Sequence, residues 1–169
     1  MVRNQVVLVD EQDHEIGTME KLAAHEQGKL HRAFSIFIFN SKNELILQQR
    51  ATTKYHCGGL WSNTCCSHPQ LGEDLITSAK ERLLEEIGFT CELTELFNFI
   101  YQASFSNGLT EYEFDHVLIG HYDGEIKPNP EEVNNYKLIS LENLKTDLKN
   151  NPDKYTPWFI KIINEHKII

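Results

Sequence analysis

Short runs of apolar residues, most with a period of two, recur along this chain and predict a strand-rich domain. The predicted strands are Gln5 to Val9, Arg32 to Asn40, Glu44 to Gln49, Leu93 to Phe105, Thr110 to Tyr122 and Tyr136 to Ile139. Only the polar residues Ser41 to Asn43 separate the second run from the third, so these two strands form a predicted hairpin.

A helical period is clearest between Asp74 and Ile87. The apolar face of this predicted helix comprises Leu75, Ala79, Leu83 and Ile87, with Ile76 and Leu84 beside it. Gly88 follows as a C-terminal stop.

Three shorter helices complete the pattern. They are predicted at Glu20 to Glu26, at Leu141 to Lys149, and after Thr156, which can cap a last helix with Pro157 at its first position. No internal repeat or linker divides the chain. The sequence therefore predicts one α+β domain over residues 1–169, with helices packed on a mixed sheet.

One long stretch, Arg50 to Glu73, has no clean period and is rich in Cys, His and aromatic residues. Ordered loops of this length are uncommon unless they are functional. Cys66 lies two residues before His68 in a polar setting, which favours a chemical role over that of a small buried hydrophobe. Cys57 and Cys91 fit the second role better.

Charge and hydropathy exclude several classes of partner. The net charge of -9 argues against nucleic acid, which proteins bind through clustered Lys and Arg. No apolar run reaches the ~18 residues of a membrane span, and Met1 to Val9 lacks the pattern of a signal peptide. We therefore expect a cytoplasmic monomer or homodimer, with its four cysteines as free thiols.

Histidines and glutamates in three segments predict a metal site. His25 and His31 flank a short bend, and His68 lies in the long loop. Glu111 and Glu113 alternate onto one face of a strand that is otherwise apolar, where paired carboxylates are costly without a cation. A solvated strand face is the simpler alternative. Three imidazoles and two carboxylates suit Zn²⁺ or Mn²⁺ better than Mg²⁺ alone.

Four basic residues, Lys21, Arg50, Lys54 and Arg82, flank the same loop region. Each one individually fits a solvated surface charge. In so acidic a chain, their grouping instead predicts a phosphate cradle, in which Arg supplies bidentate contacts and Lys point charges. The expected partner is then a small anionic molecule, bound with the help of a metal ion.

At NTCCSHPQLGE the chain resembles the type 1 isopentenyl diphosphate isomerases. The resemblance continues in GTMEKLAAHEQGKLHRAFSIFIFN, QQRATTKYH, EYE and NPEEVNNYKLISLENL, and runs from about Val6 to Trp158. It implies a Nudix-like α/β/α sandwich, with a mixed sheet flanked by helices. It also implies a small isoprenoid diphosphate as substrate, with no nucleic-acid or membrane partner.

The segment AKERLLEEIG resembles the Nudix helix but departs from its usual motif. Glu85 and Glu86 occupy the paired-glutamate positions, whereas the usual Arg-Glu is here Glu81-Arg82, and Ser67 replaces the opening glycine. Diphosphate hydrolysis relies on several helix carboxylates that collect Mg²⁺ around a water nucleophile. The departure weakens the case for hydrolysis and is compatible with an isomerase that retains one carboxylate for Mg²⁺.

The resemblance also implies roles for individual residues. Cys66 and Glu113 would form the proton-transfer pair. The implied metal ligands are His25, His31, His68, Glu111 and Glu113 for Mn²⁺ or Zn²⁺ (or Mg²⁺), and Glu86 for a second Mg²⁺ bound with the substrate. The implied substrate contacts are Lys21, Arg50, Lys54 and Arg82 to the diphosphate, Tyr101 as a hydrogen-bond partner of the catalytic glutamate, Trp158 over the hydrocarbon, and Trp61 near the site.

The implied reaction interconverts isopentenyl and dimethylallyl diphosphate for isoprenoid biosynthesis, by protonation of the double bond and loss of a different proton. Which of Cys66 and Glu113 protonates first is not decided by the residues, because the reaction is reversible. Two other functions stay open: a Nudix diphosphohydrolase, and a metal-binding module without catalytic activity.

Overall fold

A mixed sheet of nine strands forms the centre of the computed structural model, which describes residues 3–168. The strands are β1 Gln5–Val9, β2 Glu15–Glu20, β3 His31–Phe39, β4 Glu44–Arg50, β5 Trp61–Ser62, β6 Cys65–Ser67, β7 Thr94–Ser104, β8 Thr110–His121 and β9 Val133–Ser140. The helices are α1 Lys21–Gln27, α2 Leu75–Ile87, α3 Leu141–Asn150 and α4 Pro157–Glu165, with a 3₁₀ turn at Pro152–Lys154. The predictions made for Met1 and for both ends of the 1–169 domain lie outside the described residues. None of the helices within residues 3–168 has the length and apolar character needed to cross a membrane.

The central strand β3 contributes side chains to two separate cores. Phe37 packs in a cluster with Leu144 of α3 and Phe159 of α4, whereas Ile36 packs in a cluster with Leu83 of α2. Successive side chains of a strand point to opposite faces of the sheet. Helix α2 therefore covers one face, while α3 and α4 cover the other, which confirms the predicted α/β/α sandwich.

A separation between β3 and β4 opens the sheet at one end. Within residues 3–168 these strands pair at one position, Phe39 with Leu45. Beyond it, β6 pairs with β3 and β5 pairs with β4. On its other side β3 is bordered by β8, which runs parallel to it over the full length His31–Phe39. Residues from both helical layers can therefore approach the gap between β3 and β4.

Helix α2 has the ends that the sequence predicts. Asp74 is the N-cap, and its carboxylate accepts a hydrogen bond from the backbone N–H of Thr77 at 3.0 Å. Gly88 ends the helix with φ +85°, and a Cβ atom at this position would lie 2.2 Å from the carbonyl oxygen of Lys127. Both the conformation and the close approach require glycine.

The differences from prediction lie in short or exposed segments. Strand β2 was not predicted, because five of its six residues are exposed and show no apolar alternation. Strands β5 and β6 lie inside the predicted loop and are too short to show a period. Thr156 precedes α4 as predicted, but its side chain makes no capping bond within the described chain. The Thr156 hydroxyl instead lies 2.9 Å from that of Ser62.

We predict that Leu83→Ala lowers the free energy of unfolding by about 3 kcal/mol, because it leaves a cavity in a closed core. Leu83 is fully buried, whereas the neighbouring Leu84 is 53% exposed. The matched variant Leu84→Ala should therefore change stability by only about 0.5 kcal/mol. Equilibrium urea unfolding measures both values, and equal losses would contradict the packing of α2 described above.

Candidate active site

Strand register brings the predicted site residues onto one face of the sheet. Glu113 of β8 pairs with His31 of β3 and, on its other side, with Tyr101 of β7. Cys66 of β6 pairs with Ser35 of β3. Paired residues share a face, and His31 and Ser35 are an even number of residues apart on β3. These side chains therefore point to the face that α3 and α4 cover.

Imidazoles and carboxylates converge at one end of this face. The candidate ligand atoms of His25, His31, His68 and Glu113 all lie within 4.8 Å of one another. The His31 ring centroid is 5.0 Å from those of both His25 and His68. Helix α1, strand β3, the segment after β6 and strand β8 each supply one member, so the group exists only in the folded chain.

Two of the histidines are oriented to bind a cation. Nδ1 of His25 lies 2.6 Å from the carbonyl oxygen of Lys21, and Nδ1 of His31 lies 2.8 Å from that of Lys29. Donation to these carbonyls assigns the proton to Nδ1 and leaves the lone pair on Nε2. Neither Nε2 atom has a hydrogen-bond partner among the described residues. Buried nitrogen atoms without a partner are rare, and a divalent ion fits this donor set.

The two glutamates of β8 reinforce this conclusion. Burial, together with the charge of Glu113, raises the pKa of Glu111 well above its usual value. Burial also acts to raise the pKa of Glu113, but the imidazoles of His31 and His68, whose Nε2 atoms lie 3.5 and 3.1 Å from Oε1 of Glu113, hold that pKa well below its usual value. The buried site thus ionises one carboxylate at the expense of the other, and a bound cation would allow both to ionise.

His56 belongs to the same centre, although the sequence analysis missed it. Its Nε2 atom lies 2.5 Å from Oε1 of Glu111, and candidate ligand atoms of His25, His56 and Glu111 lie within 4.8 Å of one another. Burial, followed by the charge of Arg50, lowers the pKa of His56 to about 4. His25 Nε2 has one lone pair and can bind only one ion, so His56 and Glu111 extend the first group. The available signal was its place in QQRATTKYH, beside the predicted Lys54.

Cys66 contributes a thiol in the same region. Burial, and then the charge of Asp115, raises the pKa of Cys66 to about 12. The side chain is therefore a neutral thiol near pH 7. Its sulfur lies 3.7 Å from the hydroxyl of Ser35, which donates a hydrogen bond to Asp115 at 2.7 Å.

An open cleft of about 610 Å³ connects the thiol with the carboxylates. Its wall includes Cys66, His68, Glu111 and Glu113 from the face of the sheet, and Trp158 from α4. The cleft therefore combines a proton donor, carboxylates and an apolar aromatic surface.

Four predicted basic residues line this cleft: Lys21, Arg50, Lys54 and Arg82. Burial, and then the charge of Lys54, lowers the pKa of Lys21. The guanidinium of Arg50 lies 5.3 Å from the ring centroid of Trp158. Lys54 is paired with Glu132. The excess of positive charge on this side of the cleft favours an anionic group there.

Glu86 lies apart from the histidine group and against Arg82. Arg82 donates to Oε1 of Glu86 at 2.7 Å, while the side chains of Gln48 and Cys65 donate to Oε2 at 3.0 and 3.2 Å. Both oxygens of this buried carboxylate are thus already engaged. A cation at Glu86 would require Arg82 to transfer its hydrogen bond to another anion, such as a phosphate.

Two of the predicted aromatic residues, Tyr101 and Trp61, are not part of the cleft wall. Tyr101 is the cross-strand neighbour of Glu113, but its hydroxyl has no hydrogen-bond partner within the described part of the chain, because its ring packs in the apolar core. Trp61 is not in the wall of the cleft. Trp61 lies on β5, which pairs with β4. Nζ of Lys137 is 4.4 Å from the centroid of the Trp61 ring.

Comparison with known proteins identifies a matching domain family and similar sequences. Residues 29–159 match the NUDIX domain family. Isopentenyl-diphosphate Delta-isomerase 2 of Photorhabdus laumondii is 52% identical over 159 residues, which cover 94% of this chain and 90% of that protein. Isopentenyl-diphosphate Delta-isomerase 1 of Aromatoleum aromaticum is 51% identical over 157 residues, which cover 93% and 89%.

Solved structures agree on the fold. DR0079 from Deinococcus radiodurans superimposes with a TM-score of 0.78 at 17% identity, over 94% of this chain and 96% of that one. The likeness at this identity concerns the fold alone. Taken with the sequence relatives, it leads to one assignment: the chain belongs to the Nudix family and, within it, to the isopentenyl-diphosphate Delta-isomerases.

Proposed function

We propose that the chain interconverts isopentenyl diphosphate and dimethylallyl diphosphate by adding a proton at one carbon and removing a different proton at another. The observation that carries this proposal is the meeting of Cys66 and Glu113 in one cleft with a cationic end and an aromatic wall. The names of its relatives support the same reaction.

The chemistry requires one acid and one base. The double bond of isopentenyl diphosphate has no neighbouring carbonyl, so its C–H bonds are not acidic and proton addition must come first. Addition of a proton to the terminal carbon gives a tertiary cation. This cation then loses a proton from the chain carbon next to the cationic centre, on the side of the diphosphate. Cys66 and Glu113 fulfil the two roles, and they exchange roles when the reaction runs backwards.

The rest of the cleft binds the substrate and protects the cation. Lys21, Arg50 and Lys54 line the cleft where they would bind the diphosphate, and Arg82 would join them if its hydrogen bond moved from Glu86 to a phosphate oxygen. The freed carboxylate of Glu86 would then be available to hold a Mg²⁺ ion that neutralises the diphosphate. The face of Trp158 stabilises the cation by roughly 2 kcal/mol when water is excluded. Binding energy from the diphosphate thus supports chemistry at a remote carbon.

The proposed ligands of the resident ion are His25, His31, His68, Glu111 and Glu113, with His56 against Glu111. Mn²⁺, Zn²⁺ or Mg²⁺ bound there would supply the positive charge that allows both glutamates to ionise. Glu113 would then hold its carboxylate beside the substrate carbon with its proton affinity adjusted by the neighbouring charge.

Hydrolysis of a diphosphate is the alternative that the fold allows. The carboxylates of α2 argue against it, because they are paired with arginines. Arg82 donates to Glu85 at 2.5 Å and to Glu86 at 2.7 Å, and Arg3 donates to Glu81 at 3.2 Å. A hydrolase needs such carboxylates to collect Mg²⁺ around an attacking water.

Incubation with isopentenyl diphosphate and Mg²⁺ in deuterated buffer tests the proposal directly. We expect dimethylallyl diphosphate that carries solvent deuterium, because each turnover adds a proton from an exchangeable group. Mass spectrometry and NMR locate the label. Release of phosphate without labelled prenyl product would support a hydrolase and contradict the proposal.

The variant Cys66→Ala should lose activity on the order of 10³-fold, the range expected when a proton-transfer group is removed. Metal content should stay unchanged, because the thiol is not among the proposed ligands. Cys91→Ala is the matched control, since Cys91 is partly buried and lies outside the cleft. Full activity of Cys66→Ala would rule out the assigned role of the thiol.

Affinity for Mn²⁺ should fall as the pH is lowered. Burial acts to lower the pKa of His31, but Glu113, whose Oε1 lies 3.5 Å from Nε2 of His31, raises the pKa overall, so this ring protonates first among the proposed imidazole ligands. Below that pKa, one competing proton weakens binding about tenfold per pH unit. Titration followed by the EPR signal of free Mn²⁺ measures the affinity.

The control for this experiment is His14→Ala, since His14 has a side chain that is 75% exposed and lies outside the centre. It should bind Mn²⁺ like the unmodified chain, while His31→Ala should bind it far more weakly. An affinity that does not depend on pH, or that survives His31→Ala, would argue against the proposed ligand set.

A further inference from the structure

Asn63 lies behind the catalytic groups, in the two-residue link between β5 and β6. Its side chain is fully buried, and it contacts three different parts of the chain. It does not line the cleft and has no part in the proposed chemistry. A buried amide at this point nevertheless decides how its neighbours are oriented.

The hydrogen bonds of Asn63 fix which end of its amide is which. Nδ2 donates to the carbonyl oxygens of Ile36 at 3.1 Å and Cys65 at 3.0 Å. A flipped amide would direct its oxygen at these two carbonyl oxygens, and its N–H groups at the indole N–H of Trp158. Both arrangements are repulsive, so Oδ1 is the atom that faces Trp158 and Cys66.

Oδ1 accepts hydrogen bonds from both of these residues. The Cys66 sulfur lies 3.1 Å from this oxygen, and Nε1 of Trp158 lies 3.2 Å from it. The indole nitrogen can only donate, and a neutral thiol donates as well. Ser62 is a third donor at 2.9 Å, but its hydroxyl has a second partner in Thr156 at 2.9 Å. One oxygen thus ties the thiol to the aromatic wall.

We propose that Asn63 is a positioning residue that sets the Cys66 thiol and the Trp158 ring at a fixed distance and angle to each other. This role rests on the proposed function, in which the thiol exchanges a proton with a carbon and the ring faces the resulting cation. Both groups must address the same small hydrocarbon. A shared hydrogen-bond acceptor keeps the relative position of the thiol and the ring constant even when the rest of the cleft adapts to the substrate.

The variant Asn63→Ala should lower kcat by about 100-fold, the cost of a misplacement near 1 Å. The KM for isopentenyl diphosphate should stay nearly unchanged, because the diphosphate is bound by other residues. Ser62→Ala is the matched control: it removes a donor to the same oxygen and leaves the bonds to Cys66 and Trp158. It should retain nearly full kcat. A rise in KM alone, or an equal loss in Ser62→Ala, would overturn the proposal.

A double-mutant cycle with Trp158→Phe separates positioning from a general loss of packing. If Asn63 acts through the indole N–H, the two substitutions combined should cost less than the product of their separate effects on kcat. Fully multiplicative effects would mean that Asn63 and Trp158 act independently, which contradicts a shared hydrogen-bond acceptor.

A spectroscopic measurement covers the case in which Asn63→Ala does not fold. Removal of the thiol in Cys66→Ala leaves Oδ1 with one fewer donor, so its bond to the indole should strengthen. The indole N–H resonance of Trp158, assigned with Trp158→Phe, should then move downfield in a ¹H–¹⁵N spectrum. An unmoved resonance would overturn the role of Asn63, whereas failure of the proposed function would be seen as an unmodified enzyme without isomerase activity.

Discussion

Two carboxylates buried side by side among imidazoles are the constraint on which this site depends. Glu111 and Glu113 cannot both be ionised there without compensation, and their opposite pKa shifts express that conflict. His68 lowers the cost of the Glu113 charge, and the Nε2 atoms of His25 and His31, which have no hydrogen-bond partner within residues 3–168, complete a donor set that fits a divalent ion. The same burial would therefore favour a bound cation and, in the proposed reaction, set the proton affinity of Glu113.

The gap between β3 and β4 allows residues from both sides of the sheet to line one cleft beside this centre. The face of the sheet under α3 and α4 supplies the thiol and the carboxylates, α4 supplies the ring of Trp158, and α2 on the opposite side supplies Arg82 and Glu86. The substrate that such a cleft fits has a charged end and a short hydrocarbon end. A closed sheet would have kept these two sets of groups in separate layers.

The sequence predicted the parts of this structure that have a period or a local signal. Helix α2 was bounded correctly by its caps, and register on β8 correctly placed Glu111 and Glu113 on one face. His56 was missed because it lies in an aperiodic loop, where spacing carries no information about direction. The orientation of Tyr101 depends on packing against side chains remote in sequence, which no local pattern encodes.

The parallel alignment of β3 with β8 has a consequence for how the chain assembles. His31 and Glu113 are neighbours across a parallel pairing although they are far apart in sequence, so the candidate metal site depends on contacts of the kind that form slowly in folding. An ion held by the candidate ligands of α1, β3 and β8 would connect segments far apart in sequence and add its binding energy to the stability of the whole domain.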